Sequence, residues 1–249
     1  MAAPLPDLVA ESERVLAAAR QKGVVVRLAG GLAIRRLCPT ARTAPLSRSY
    51  NDLDLAIAGN GARRPLTDLL ISLGYEADAM FNALNGSTRM QFEDAVNARH
   101  VDVFVNAVRM CHVIDFKDRL ALLNDTLTPT DLLLTKLQIV ELNDKDVLDL
   151  LALLHDQRLE KGDGVGIDTD YLAKVWGDDW PLWKTCGLTL DKIGRAAPLI
   201  VDENAVGQIK ESMTALAAVL ESGRKTLRWK LRAKVGARVR WYELPEETG

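Results

Sequence analysis

At Pro129 the spacing of apolar residues changes period, and that change constrains the fold more than any other feature. Before it, apolar and polar residues alternate strictly in DLDLAIA (52–58) and HVDVFVN (100–106), the period of half-buried strands. After it, TDLLLTKLQIVEL and KDVLDLLALLHD place leucines at three- and four-residue intervals, the period of helices. The expectation is an α+β chain: residues 1–128 forming a mixed β-sheet with flanking helices, and residues 129–249 forming a mainly helical half.

Finer signals fill in the elements. Leu8, Val9, Val15, Leu16 and Ala19 predict a helix over 6–22, with Gly23 as its stop. VVVRLA (24–29) is β-branched and reads as a buried strand, followed by Gly30-Gly31 and a short helix, LAIRRLC, that Pro39 ends. Residues 40–51 read as a polar loop, 63–73 as a helix and 87–94 as a strand. In the second half, 161–168 (KGDGVGID) is a predicted loop, helices are expected from about 169 to 222, and GARVRWYELP reads as a closing β-like piece.

With 48% apolar and 27% charged residues and a net charge of −2, the 249-residue chain has the composition of a globular protein. No apolar run approaches the ~18 residues of a membrane span, and no signal peptide is readable, so a cytoplasmic protein without a membrane partner is expected. Cys38, Cys111 and Cys186 are scattered and odd in number, which argues against a disulfide framework or a CxxC metal site.

Charge is unevenly spread. Eight Lys or Arg residues and no acid lie between Arg224 and Arg240, so the rest of the chain carries −10. A basic tail on an acidic body fits an anionic partner such as RNA; a solvated amphipathic helix or hairpin edge would read the same way.

The chemistry-bearing residues sit on the strands. Asp52 and Asp54 are two apart and leave the same face, while Leu53, Leu55 and Ile57 point into the core. In HVDVFVN, Asp102, Phe104 and Asn106 share one face and Val101, Val103 and Val105 the other. Solvated acids on two amphipathic strands would give this pattern too, but Phe104 beside Asp102 implies a partly covered face. If the strands are neighbours, the three carboxylates meet and repel unless a cation neutralises them. Oxygen-only ligands suit Mg²⁺ or Mn²⁺, the equipment of metal-assisted phosphoryl or nucleotidyl transfer. Gly30-Gly31, between strand and helix, offers free backbone N–H groups at a positive helix end, although any tight strand–helix turn can use such a pair.

His100, His112 and His155 lack metal-ligand spacing and read as ordinary histidines. Trp176, Trp180 and Trp183 read as packing anchors. Trp229, Trp241 and Tyr242 lie among the basic residues, where they could stack on bases or pin the tail to the body.

VRLAGGLAIRRL, then NDLDLAI, then HVDVFVN, in that order and spacing, resembles the DNA polymerase β-type nucleotidyltransferase superfamily, whose pattern is hG[GS], [DE]h[DE]h, h[DE]h. SRSYNDLDL resembles the R-x-T-x-D-h-D of its AbiEii/MenT-like toxin branch, with Tyr50 where Thr is usual. TKLQIVELNDKDVLDLLALL resembles that branch's K…[RK]D-x-x-D helical motif. The resemblance covers roughly residues 24–155. It implies a nucleotidyltransferase-type sheet, with Asp52, Asp54 and Asp102 as catalytic metal ligands for Mg²⁺ (or Mn²⁺). It further implies Gly30 and Gly31 cradling the phosphates of a nucleoside triphosphate, Arg48 and Lys136 offsetting their charge, and Asp146 and Asp149 supporting the site. The function expected is transfer of an NMP from an NTP to a hydroxyl, with release of pyrophosphate. RNA, for instance a tRNA end, is the favoured acceptor; a small molecule or a protein side chain is the other option. A catalytically silent nucleotide- or RNA-binding module of a regulatory pair is the alternative.

Overall fold

A computed structural model of the chain describes residues 3–162 and 165–244. Asp163 and Gly164 of the predicted 161–168 loop, and Pro245 of the predicted closing piece, lie outside the described residues. The structure is 56% helical and 14% strand, with a mixed five-stranded sheet. The chain divides into two compact units. The first comprises residues up to Arg36, Ser49–Val108 and Asp115–Thr128; the second comprises Leu37–Arg48, Arg109–Ile114 and the residues from Pro129 onward. Two short segments of the first half in sequence therefore belong to the helical unit.

The first unit opens with α1 (Leu8–Gln21), capped by the Asp7 carboxylate, which accepts from the Ala10 N–H at 2.7 Å. Then come β1 (Arg27–Leu28), α2 (Gly30–Leu37), β2 (Leu53–Ile57), α3 (Arg63–Ser72), β3 (Glu76–Ala77), α4 (Ala79–Asn85), β4 (Arg89–Asp94) and β5 (Arg99–Val105). The sheet order is β1-β2-β5-β4-β3, with β2 and β5 parallel and the other neighbours antiparallel. The predicted buried strand over 24–29 shrinks to two residues. The Val24 N–H instead bonds the Ala19 carbonyl at the end of α1, and Val25 is 53% exposed. The β-branched run leaves a helix before it joins an edge of the sheet, so only its last part pairs.

One face of this sheet is the core. Leu28, Leu53, Leu55, Ile57, Met90, Phe92, Val101, Val103 and Val105 are all buried and register against one another across β1, β2, β5 and β4. Each such burial contributes about 1.5–3 kcal/mol, which locks the register. The opposite face carries the polar set. Asn106 leaves that face: β5 ends at Val105, Asn106 turns at φ +67°, and its side chain accepts from the Gly59 N–H at 2.7 Å. An asparagine tolerates the left-handed conformation that such a turn needs.

Two short strands follow, β6 (Ala107–Arg109) and β7 (Val113–Asp115). The helical unit contains α5 (Pro129–Leu137), α6 (Asp144–Asp156), α7 (Thr169–Asp178), α8 (Trp180–Ile200), α9 (Glu203–Ser222) and α10 (Leu227–Val235). Between α6 and α7, β8 (Leu159–Glu160) pairs in parallel with β9 (Ile167–Asp168). Leu132, Leu133 and Leu134 are consecutive and all buried, so α5 is enclosed on every side. Asn143 caps α6 with a capping box to Asp146, and Asp168, Asp179, Asp202 and Thr226 cap the four helices after it. Trp176 is fully buried and Trp180 nearly so, as packing anchors should be. Among the described residues no helix is long and apolar enough to cross a membrane.

Among its described residues, the expected β-like closing piece is not a strand. Gly236–Arg238 forms a single 3-10 turn, and the extended residues after it are held by side chains. The Trp241 indole N–H donates to Thr185 Oγ1 at 3.1 Å, and its ring meets Trp180 edge-on at 6.2 Å. One backbone bond, from the Glu243 N–H to the Cys111 carbonyl, is too little to make a ladder. Trp229 packs edge-on against Trp183 at 5.2 Å, and the Arg232 guanidinium sits over Trp180 at 4.8 Å. Trp229 and Trp241 thus spend their rings on α8, as the pinning reading expects, while Tyr242 meets Trp241 edge-on at 5.3 Å and the Arg240 guanidinium at 5.0 Å within the tail itself.

Candidate functional site

The polar face of the sheet is ordered in rows. Asp54 registers against Asp102, and Asp102 against Gln91; in the next row Ala56 registers against Phe104, and Phe104 against Arg89. Neighbouring strands lie about 4.8 Å apart, so Asp54 and Asp102 are adjacent acids on one face. Asp52 lies one residue ahead of β2 and is exposed.

Gly30 begins α2 with φ +56°, and a Cβ built there would overlap Oδ2 of Asp54. Both facts require glycine: the left-handed backbone strains other residues, and a side chain would collide with the carboxylate. The connection is tightened by the Ala29 N–H, which donates to the Asp54 carbonyl at 2.9 Å. Gly31 follows, buried in the first turn of α2. A helix N-terminus thus meets the acid strand with backbone, not side chain, at the junction.

Asp102 has a definite partner. Arg89 donates to it twice, Nε to Oδ1 at 2.9 Å and Nη2 to Oδ2 at 2.7 Å, and Gln91 Nε2 adds a third bond to Oδ1 at 3.2 Å. The Arg89 guanidinium also lies between the Phe81 ring at 5.9 Å and the Phe104 ring at 5.8 Å. Gln91 is held in turn by Asn82 of α4, which bonds both its N–H (2.7 Å) and its carbonyl (2.9 Å). Phe104 therefore does cover this face, as a wall of the Arg89 seat. Neither Arg89 nor Gln91 is marked by the sequence motifs. Alternation in STRMQFED puts both on the polar face, but only the register of β4 on β5 brings them to Asp102.

Arg48 and Lys136 belong to the helical unit, where both are engaged. Arg48 donates to Asp149 through Nε (2.9 Å) and Nη2 (2.7 Å). Lys136 Nζ lies 2.7 Å from Asp146 Oδ1 and 2.9 Å from Asp149 Oδ2. Burial works to lower the Lys136 pKa, but the carboxylates of Asp149 and Asp146 outweigh it and hold the amine above its ordinary value. Asp149, only 2% exposed, is thus the counter-ion of two cations in a buried network.

Other reactive groups are quiet. Burial pushes the Cys38 and Cys186 thiols up to about 12, so neither supplies a thiolate. His112 bonds Thr185 Oγ1 through Nε2 at 2.8 Å, and His155 bonds Asp156 through Nδ1 at 2.7 Å. Among the described residues no group of three or more His, Cys, Asp or Glu side chains is arranged to hold a metal ion. The oxygen-only donors Asp52 and Asp54 fit a hard divalent cation in kind, and the Asp54 carboxylate lies against the Gly30 backbone; Asp102 has both oxygens turned to Arg89.

No protein-family model matches the chain, and no curated protein matches it.

Proposed function

We propose that the protein is a divalent-ion-dependent nucleotidyltransferase that moves an NMP from an NTP to a hydroxyl acceptor. The observation that carries this reading is the junction of Gly30, at φ +56°, with Asp54, itself in register with Asp102 on the neighbouring parallel strand. A helix start whose backbone N–H groups stand beside adjacent carboxylates brings an anion-binding end and a cation-binding pair of oxygens together. Asp52 and Asp54 would hold the cation, and Asp102 would join them once released from Arg89. Bound there, a divalent ion supplies Lewis-acid activation of the phosphate and charge neutralisation. The chain's own part is to orient the triphosphate on the Gly30 and Gly31 N–H groups.

RNA is the acceptor favoured by the tail, on which Arg228, Lys230, Lys234, Arg238 and Arg240 are exposed while Trp229 and Trp241 pack on α8. A catalytically silent nucleotide- or RNA-binding module is the second reading, favoured by one observation: Asp102 already has a guanidinium as its cation.

The deciding experiment supplies each labelled NTP with Mg²⁺ to the protein together with total RNA, protein extract or hydroxylated small molecules. Label on RNA that disappears in Asp54→Asn supports the leading reading. Label on small molecules or protein alone moves the acceptor, and label nowhere favours the silent module.

A further inference from the structure

We infer that Arg89 occupies the place on Asp102 that a divalent cation would take, so that the Arg89–Asp102 ion pair and metal binding on this face exclude each other. The inference rests on the nucleotidyltransferase reading and adds to it a positioning residue that competes with the cofactor.

A carboxylate offers about four lone-pair sites, and three on Asp102 are used: two by the Arg89 fork and one by Gln91. The one lone-pair site left, on Oδ2, lies beside the Arg89 guanidinium 2.7 Å away, whose charge repels a second cation there. Charge leads to the same conclusion. Asp54 and Asp102 stand side by side in register, so their like charges repel and positive charge nearby favours the ionised pair. In this structure the guanidinium supplies that charge on Asp102. A divalent ion shared by both carboxylates does so better, because it answers both at once.

The geometry also permits the exchange. Arg89 is 34% exposed and Asp102 16%, so the guanidinium can leave toward water without burying its charge. Its seat between Phe81 and Phe104 is a face-on contact with two rings rather than an enclosed cavity. Gln91 is neutral and its backbone is held by Asn82, so its side-chain amide stays within reach of Asp102 Oδ1 when the guanidinium leaves.

The test is a titration of the full chain with Mn²⁺, free Mn²⁺ being read by electron paramagnetic resonance. It uses the wild type, Arg89→Gln, Arg89→Lys and Asp54→Asn, each checked for fold by circular dichroism. Removing the competitor should tighten Mn²⁺ binding in Arg89→Gln by roughly tenfold or more, the affinity equivalent of a charge-assisted hydrogen bond. Arg89→Lys, which keeps the charge but loses the fork, should fall between it and the wild type; it carries the test if Arg89→Gln does not fold. Binding unchanged or weakened in the Arg89 variants, yet lost in Asp54→Asn, overturns the competition and leaves the metal-site reading standing. Mn²⁺ binding absent from every protein, or unaffected by Asp54→Asn, overturns that reading and this inference with it.

Discussion

The backbone of Gly30 stands so close to the carboxylate of Asp54 that a single added methyl group would overlap Oδ2. The two residues are 24 positions apart in sequence and belong to different elements, α2 and β2. Their contact joins the positive end of a helix to an acid on the polar face of the sheet, and the proposed function turns on it.

Gly30→Ala tests that contact directly. The left-handed φ costs an L-residue about 1–2 kcal/mol, and relief of the overlap must displace Asp54 or the start of α2. Thermal unfolding should show Tm lowered by several degrees, and Mn²⁺ binding should weaken even where the variant is folded. A variant as stable as the wild type with unaltered ion binding would refute the structural reading of the junction.

Asp54→Asn should separate function from stability. Removing one of two adjacent like charges leaves the protein equally or more stable without ligand. Mg²⁺ with NTP should raise the wild-type Tm, because the ligand binds only the folded chain, and should leave the variant's Tm unmoved. A loss of several kcal/mol in the unliganded variant, measured by urea unfolding, would make Asp54 a structural residue.

His112 predicts a pH dependence whose sign is set by its surroundings. Burial holds its imidazole below the ordinary value of 6.5, against the opposing pull of Asp179 and Glu243. The unfolded chain then takes up the proton first, so the full stability is present above 6.5 and is lost as pH falls below it. Urea midpoints between about pH 7 and pH 5 should decline in the wild type and decline less in His112→Gln. Equal slopes in the two proteins would remove His112 as the cause.

The tail should divide into a structural and a charged part. Trp241→Ala removes the ring packed on Trp180 and the bond to Thr185, which for a half-buried indole should cost about 2 kcal/mol in unfolding experiments. Replacing Arg238 and Arg240 together by Gln should leave stability alone and weaken RNA binding. It should also flatten the salt dependence of that binding, by nearly one log unit per decade of salt for each phosphate no longer neutralised. An unchanged salt slope would mean that the exposed cations serve only solubility.

The sequence by itself settled what is local. Alternation of apolar and polar residues identified β2, β4 and β5 and assigned Asp54 and Asp102 to the faces opposite their buried neighbours, because side chains on a strand can leave on only two sides. The period change at Pro129 announced the helices that follow it, because a three- to four-residue apolar spacing lines one face of a helix.

Alternation says which face a residue occupies but never which strand lies beside it. The parallel pairing of β2 with β5 joins residues 48 positions apart, and only packing of the shared apolar face selects it. The same long-range register delivered Arg89 to Asp102, a partner that no local pattern names. It also lies beyond local pattern that Lys136 and Arg48 would be consumed by Asp149, since their pairing depends on how α5 and α6 pack with the 37–48 segment. Residue type and spacing determined the candidate chemistry; the tertiary structure decided which charges answer one another, because electrostatic partners are chosen by proximity in space and not along the chain.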